Sequence, residues 1–110
     1  MERKAWLFLV MMILELTACQ PVSIVYIGLV APFEGRDRAV GYDAIFGARL
    51  AVRAWNASHP TGPKVMLVAL DDQGDPIRAQ ERARQMVAYP SLIAVIGHFR
   101  PETTWAAAPI

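Results

Sequence analysis

The stretch KVMLVALDDQGDP, residues 64 to 76, joins an apolar run to a helix start. Residues 64–70 are almost all apolar, which is typical of a buried strand. Asp75 offers an oxygen that can accept hydrogen bonds from free helix N–H groups, and Pro76 suits the first helical position, where no N–H is needed. The stretch therefore predicts a buried strand that passes through a short polar turn into a helix.

The same alternation of strand and helix extends to both sides of this stretch. The apolar, β-branched run 23–30 predicts a strand buried on both faces, and residues 92–96, ended by Gly97, predict a third strand. The helix that begins at Pro76 is expected to run to about Tyr89, where Pro90 stops it. Its predicted buried positions are Ala79, Ala83, Met86 and Val87.

A second helix is predicted between the first two strands. Glycines and charges favour a loop over residues 34–41, and a helix is expected over residues 42–58. Apolar residues recur there at spacings of three and four, which indicates one buried helix face. The residues of this predicted face are Ala44, Ile45, Ala48, Ala51, Val52 and Trp55.

The order of elements predicts an α/β fold with a parallel sheet flanked by helices. Strands that alternate with helices form right-handed β-α-β units, and ligands bind beyond the carboxyl ends of such strands. This places the loops 31–41, 71–75 and 97–101 on one rim. A third helix is expected to begin at Pro101 and to continue to the last residue, with an N-terminus that favours a small anion. Thr103 and Thr104 could add hydroxyl donors there.

The N-terminus has the layout of a secretory signal segment. Residues 1–4 are polar with two cations, and the ten residues 5–14 are all apolar, too few for the roughly 20 that cross a bilayer. Residues 16–19, LTAC, resemble the lipobox of bacterial lipoprotein precursors, so Cys19 is expected to carry a lipid anchor. The predicted division is a signal peptide over 1–18, a tether over 19–22 and a ligand-binding lobe over 23–110. The alternative for Cys19 is a buried or free thiol.

Composition and motifs argue against several function classes. The chain has 11 basic and 10 acidic residues, so it lacks the basic excess expected of a nucleic-acid-binding protein. Because the chain has a single cysteine, it cannot form the paired-cysteine motifs of metal or redox sites. No nucleophile and base pair and no phosphate-binding glycine motif is evident, and Asp71 and Asp72 are interpreted as loop and capping residues. The sequence therefore predicts no enzymatic activity and no cofactor.

Four motifs carry a resemblance to a known family. They are IGLVAPFEG, GARLAVRAWNA, VMLVALDDQGDP and VIGHFRPETTWAAAPI, in that order along residues 23–110. Together they resemble the N-terminal lobe of type I periplasmic substrate-binding proteins, specifically the branched-chain amino acid receptors of ABC transporters. The resemblance implies part of the first lobe of a two-lobed receptor. Such a receptor closes on an aliphatic amino acid or a related carboxylate or amide and delivers it to an ABC permease.

The resemblance also implies where the ligand binds. In the family, the turn after the third strand supplies hydroxyl and N–H groups to the ligand carboxylate. Carried over to this chain, the turn gives the candidate ligand-binding residues His98, Phe99, Arg100, Thr103 and Thr104. The chain departs from the serine-rich family turn at residues 100–102, where Glu102 is expected to repel an anionic ligand unless Arg100 offsets its charge. It also has Val40 where amino-acid-binding members often place an aromatic residue.

Two other functions remain open at the level of the sequence. The same fold could serve a sensor or an envelope-regulatory lipoprotein, and a flavodoxin-like enzyme would share the strand and helix order. The second is disfavoured because residues 31–41 are charged and lack close glycine spacing. The chain is further expected to be the N-terminal part of a longer receptor, to be marginally stable by itself and to bind no amino acid tightly.

Overall fold

The computed structural model describes residues 21–110 as three β-α units. Strands and helices alternate along the chain: β1 Ile24–Ala31, α1 Arg38–Ser58, β2 Lys64–Asp71, α2 Pro76–Val87, β3 Leu92–Ile96 and α3 Pro101–Ala107. The predicted order is confirmed, and the strand bounds agree with the prediction to within one residue. Across residues 21–110 no helix is both long and apolar enough to cross a membrane. The predicted signal segment and Cys19 lie outside the described residues.

The three strands form a parallel sheet in the order β2-β1-β3. Ala31 at the end of β1 is in register with Asp71 at the end of β2, and Leu29 is in register with Ile96 at the end of β3. The carboxyl ends of all three strands therefore meet at one edge. This confirms the prediction that the three following loops share a rim.

The helices α1 and α2 lie on opposite faces of the sheet. In the order β2-β1-β3, the connection from β1 to β2 and the connection from β2 to β3 run in opposite directions across the sheet. Because such connections are right-handed, α1 lies on one face of the sheet and α2 on the other. Met86 of α2 lies over Gly28, where an added Cβ would come within 2.7 Å of the Met86 sulfur. The buried apolar residues are Leu29, Val30, Ala31, Ile45, Ala79, Met86 and Ala107.

The strands are less buried than their apolar composition predicts. β1 is buried only from Gly28 to its end, and β2 is at most half-buried. On β3, Ile93 is 63% exposed and Val95 is 45% exposed. The prediction that β1 is buried on both faces is therefore wrong for its first half, where Ile24 is 41% exposed and residues 25–27 are half-buried.

Helix α1 begins earlier than predicted, and most of its predicted face is turned to the sheet: Ile45 is buried and Ala44, Ala48 and Val52 are half-buried. It starts at Arg38, so the predicted loop 34–41 is too long. Its buried residues are Gly41 and Ile45, whereas Ala51 and Trp55 of the predicted face are exposed. Trp55 instead stacks on the ring of His59, with 3.7 Å between the ring centroids.

The C-terminal end of α1 is fixed to β2 by a paired hydrogen bond. The Asn56 side chain donates from Nδ2 to the Val65 carbonyl oxygen at 2.8 Å and accepts from the Val65 N–H at 2.9 Å. A side-chain amide thus satisfies both polar groups of one strand residue. This contact sets the position of α1 along the sheet.

The start of α2 agrees with the prediction, and its end does not. Asp75 Oδ1 accepts hydrogen bonds from the N–H groups of Ile77 and Arg78, both at 2.9 Å, and Pro76 is the first helical residue. The helix ends at Val87 and not at Tyr89, and Val87 is 68% exposed. Helix α3 begins at Pro101 as predicted and ends at Ala107, before the last residue.

Candidate functional site

The rim at the carboxyl ends of the strands is held together by side chains from its own loops. Asp71, at the end of β2, accepts hydrogen bonds through Oδ1 from the Phe33 N–H at 2.7 Å and the Gln73 N–H at 2.9 Å. The first of these bonds crosses to the β1-α1 loop. Asp71 therefore joins two of the three loops, in agreement with its interpretation as a loop residue.

Asp72 and His98 form a buried pair that joins the turn after β2 to the turn after β3. His98 Nδ1 lies 2.7 Å from Asp72 Oδ2, and the two side chains are 7% and 1% exposed. Asp72 Oδ1 also accepts from the Gly74 N–H at 2.9 Å. Because both carboxylate oxygens are used inside the protein, this pair positions the two turns relative to one another.

Arg100 lies between two carboxylates from different loops. Its guanidinium forms an ion pair with Asp37 of the β1-α1 loop, and its Nε is 3.5 Å from Glu102 Oε2. Hydrogen bonds and charge attraction from both carboxylates raise the pKa of Arg100, and the hydrogen bonds that Glu102 accepts from its own backbone and from Arg100 lower the pKa of Glu102. Arg100 and Glu102 are thus ionised near neutral pH.

Gly74 gives Arg100 room to reach this position. A Cβ added at Gly74 would lie 3.2 Å from Arg100 Cδ, and the residue has a φ of +68°, which glycine adopts without strain. Asp37 is the residue before α1, yet its side chain makes no hydrogen bond to the helix N–H groups. Its carboxylate serves the ion pair instead of a helix cap.

The threonines of α3 use their hydroxyl groups within the turn. Thr103 is fully buried, and its Oγ1 donates to the Arg100 carbonyl oxygen at 2.9 Å. Thr104 is exposed, and its Oγ1 lies 2.8 Å from the Arg100 carbonyl oxygen and 2.9 Å from that of His98. Phe99 is 38% exposed at the rim. Phe99 and Thr104 are therefore the more accessible of the candidate residues around this turn.

An open groove of about 330 Å³ lies between α2, the end of β3 and α3. It is lined mostly by apolar side chains, and it brings together two of the predicted site residues, His98 and Thr104. Phe99, Arg100 and Thr103 do not line it. The structure thus divides the five candidate residues between the rim and this groove.

The site is suited to binding through hydrogen bonds and charge. Within residues 21–110, no three His, Cys, Asp or Glu side chains lie close enough together to hold a metal ion. These loops offer carboxylates, the guanidiniums of Arg36 and Arg100, hydroxyls and backbone groups at a strand-end rim. In α/β sheets this is the edge where small ligands bind.

Residues 24–110 match the sequence model of a family described as periplasmic binding protein. The chain belongs to this family. Family members that match the chain are substrate-binding proteins, and membership implies an extracytoplasmic location. The predicted resemblance is confirmed by this match and by the similar proteins.

The chain is also similar to three proteins named for amino acid binding or transport. An amino acid binding protein of Pseudomonas aeruginosa is 33% identical over 87 residues, which are 78% of this chain and 23% of that protein. The branched-chain amino acid transporter substrate-binding protein LivJ of Streptococcus pneumoniae, solved with isoleucine, superposes with a TM-score of 0.73 at 26% identity over 79% of this chain. The leucine-binding protein LivK of Thermotoga maritima superposes with a TM-score of 0.64 at 26% identity over 78% of this chain. The chain spans 25% of LivJ and 24% of LivK.

One residue of the site was missed by the sequence analysis. Asp37 lies in the segment 34–41 that is predicted only as a loop, but it pairs with Arg100 across 63 positions of sequence. Arg36 has a side chain that is 85% exposed, and its Nε lies 3.7 Å from Asp37 Oδ1, so Asp37 is near two guanidiniums. No spacing in the sequence signals the Asp37 contact, because it depends on how two loops meet at the rim.

Proposed function

We propose that this chain supplies ligand-binding residues to an extracytoplasmic solute-binding protein that delivers a small amino acid, or a related carboxylate or amide, to an ABC permease. The observation that carries the proposal is that three loops meet at the carboxyl edge of the sheet and are joined there by hydrogen bonds. The lobe that bears these loops matches the periplasmic binding protein family over residues 24–110. Relatives named for amino acid binding support the ligand class. The ligand in this proposal is held between this lobe and a second one.

The five candidate residues have two kinds of role in this proposal. Phe99, Arg100 and Thr104 are exposed or partly exposed at the turn after β3 and are proposed to contact the ligand. His98 and Thr103 have buried side chains that bond within the protein and are proposed to hold the turn in place. Backbone groups of the turn complete the proposed contact surface.

The proposal predicts that a small ligand raises the melting temperature of the complete gene product. A ligand that binds only the folded state at about 100 times its Kd adds about 2.7 kcal/mol to the free energy of unfolding. Thermal-shift screening against aliphatic amino acids, their amides, short carboxylates and aromatic acids would measure this effect. A rise confined to one of the aliphatic compounds is the expected result. No rise with any compound would contradict the proposal and favour a sensory or regulatory use of the same fold.

The lipid anchor on Cys19 is a second part of the proposal. Replacing the only cysteine, Cys19→Ser, removes the sulfur that would be acylated. We expect the variant to lose label from radioactive palmitate and to leave the membrane fraction of expressing bacterial cells. The neighbouring change Val22→Ala, which keeps the sulfur, is the control and should retain both. Unchanged membrane association of the serine variant, or absence of label in the unaltered protein, would contradict the anchor.

A further inference from the structure

The amino edge of the sheet, where the strands begin, exposes apolar and aromatic side chains. Helix α1 ends beside this edge, since Asn56 bonds to Val65, the second residue of β2. Helix α2 also ends there, and Tyr89, just after it, packs its ring edge-on against that of Tyr26 of β1, with 5.0 Å between the ring centroids. Side chains from both helix ends and from the start of β1 thus lie at one end of the lobe. The exposed apolar and aromatic residues at this end are Val22, Ile24, Trp55, Val87 and Tyr89.

Charge is divided between the amino edge and the rim. Every Asp and Glu within residues 21–110 lies in a rim loop, at the carboxyl end of a strand or in the first half of a helix, so acidic residues outnumber basic ones in the rim half of the lobe. The second halves of α1 and α2 carry arginines and no acidic residue. Two of these arginines, Arg53 and Arg84, are exposed and form no ion pair with another residue of the described chain. The amino edge therefore presents positive charge beside its apolar side chains.

The expected lipid anchor is attached close to the amino edge. Cys19 precedes Ile24, the first residue of β1, by five positions. A fully extended chain covers at most about 3.6 Å per residue, so the two residues are at most about 18 Å apart. Strand β1 has eight residues and spans about 26 Å. A lobe held by a lipid on Cys19 would therefore reach the bilayer with its amino edge, while its rim lies one strand length farther away.

We propose that the amino edge is a membrane-contact surface that rests on anionic lipid headgroups and turns the ligand-binding rim away from the bilayer. This inference rests on the proposed function, since it takes Cys19 as the lipid anchor. Tryptophan and tyrosine favour the boundary between lipid and water, because one part of each side chain is apolar and the other is polar. Arginines beside them attract anionic headgroups. The acidic excess of the rim half is repelled by the same headgroups, so both ends of the lobe favour one orientation.

Vesicle co-sedimentation tests this surface in the absence of the anchor. The complete gene product, expressed without residues 1–19, has neither the apolar leader nor a lipid, so only its folded surface can hold it on a vesicle. We expect it to bind vesicles of equal parts phosphatidylglycerol and phosphatidylcholine, and to bind vesicles of phosphatidylcholine alone at least about tenfold more weakly. Added salt should weaken the binding to the anionic vesicles, because it screens the charges.

Two double variants with the same change in net charge locate the contact. Arg53→Glu combined with Arg84→Glu reverses one exposed arginine in the second half of each long helix, and should weaken binding to the anionic vesicles at least about thirtyfold. Arg38→Glu combined with Arg78→Glu is the matched control, because it reverses one exposed arginine in the first turn of each of the same helices. These positions lie beside the rim, where charges more than about 10 Å from the bilayer are largely screened, so we expect a loss of less than about threefold.

Tryptophan quenching gives a second measurement that leaves the charges unaltered. Lipids with brominated chains quench a tryptophan that enters the bilayer surface. We expect Trp55→Phe to abolish the quenching and Trp105→Phe to retain it, because Trp105 lies on α3, which begins at the rim. Exposure alone favours the opposite result, since Trp105 is 79% exposed and Trp55 is 50% exposed.

The outcomes separate this inference from the proposed function. No binding of the anionic vesicles, equal weakening by the two double variants, or quenching that Trp55→Phe leaves intact would overturn the membrane-contact surface. None of these results changes the palmitate label on Cys19 or the thermal shift caused by a ligand, which test the anchor and solute binding. Binding that the Arg53 and Arg84 changes remove, together with quenching at Trp55, supports the surface.

Discussion

Gly41→Ala is expected to lower the free energy of unfolding by about 3 kcal/mol, the upper end of the usual cost of overpacking a core. A Cβ at Gly41 would lie 2.1 Å from the carbonyl oxygen of Pro32 and 2.8 Å from its carbonyl carbon. Both are backbone atoms of a buried residue directly after β1, so no side-chain rotation can relieve the contact. The whole N-terminal turn of α1 would have to move away from the sheet. Urea denaturation of the complete gene product, followed by circular dichroism, measures the change.

Gly47→Ala is the matched control on the same helix. No atom lies within 4 Å of the position that a Cβ would take at Gly47, so the added methyl group meets open space. Alanine is favoured over glycine within a helix by about 0.5 to 1 kcal/mol, so this variant should be slightly more stable than the unaltered protein. Equal stability of the two variants would show that α1 does not approach Pro32 as closely as described.

The order of elements was predictable because its signals are local. A continuous apolar run marks each strand, and Asp75 followed by Pro76 marks the start of α2 through hydrogen bonds that reach only two and three residues along the chain. Pro101 marks the start of α3 as its first helical residue, without a side-chain cap. Parallel order and a shared rim then follow from the connectivity of β-α units.

The buried face of α1 was predictable in large part from spacing. Ile45 is buried and Ala44, Ala48 and Val52 are half-buried, whereas Phe46 and Leu50, which the predicted face leaves out, are 65% and 67% exposed. The contacts at the two ends of the helix are tertiary: Gly41 allows close approach to Pro32, and Asn56 bonds to β2. Neither contact can be read from spacing alone.

The candidate site was predictable as a region and less so as a set of contacts. The turn after β3 could be located because it follows a strand in a parallel sheet. The partners of its polar side chains could not, since Arg100 and His98 bond to residues 63 and 26 positions away. Whether Arg100 is free to receive an anion depends on those partners. The sequence shows Glu102 as one carboxylate near Arg100, and the structure shows Asp37 as a second.

Asp72→Ala is expected to lower the free energy of unfolding by about 3 kcal/mol, because two donors lose their acceptor and each buried unsatisfied polar group costs about 1 to 3 kcal/mol. These donors are the His98 ring nitrogen and the Gly74 N–H, at 2.7 Å and 2.9 Å from the carboxylate. Asp72 is fully buried, so water cannot readily replace it. Asp43→Ala is the control for loss of an aspartate, since Asp43 is exposed on α1 and its removal should change stability by less than about 0.5 kcal/mol.

A double-mutant cycle separates the Asp72–His98 contact from other effects of the substitution. Asp72→Ala, His98→Ala and the double variant, compared by urea denaturation, should give a coupling energy of about 1 kcal/mol or more, because each single change leaves the other side chain buried without its partner. Additive effects would mean that the two side chains do not stabilise one another. Coupling would show that the turns after β2 and β3 fold as one unit, so that the proposed ligand-contacting residues of the second turn depend on a buried carboxylate in the first.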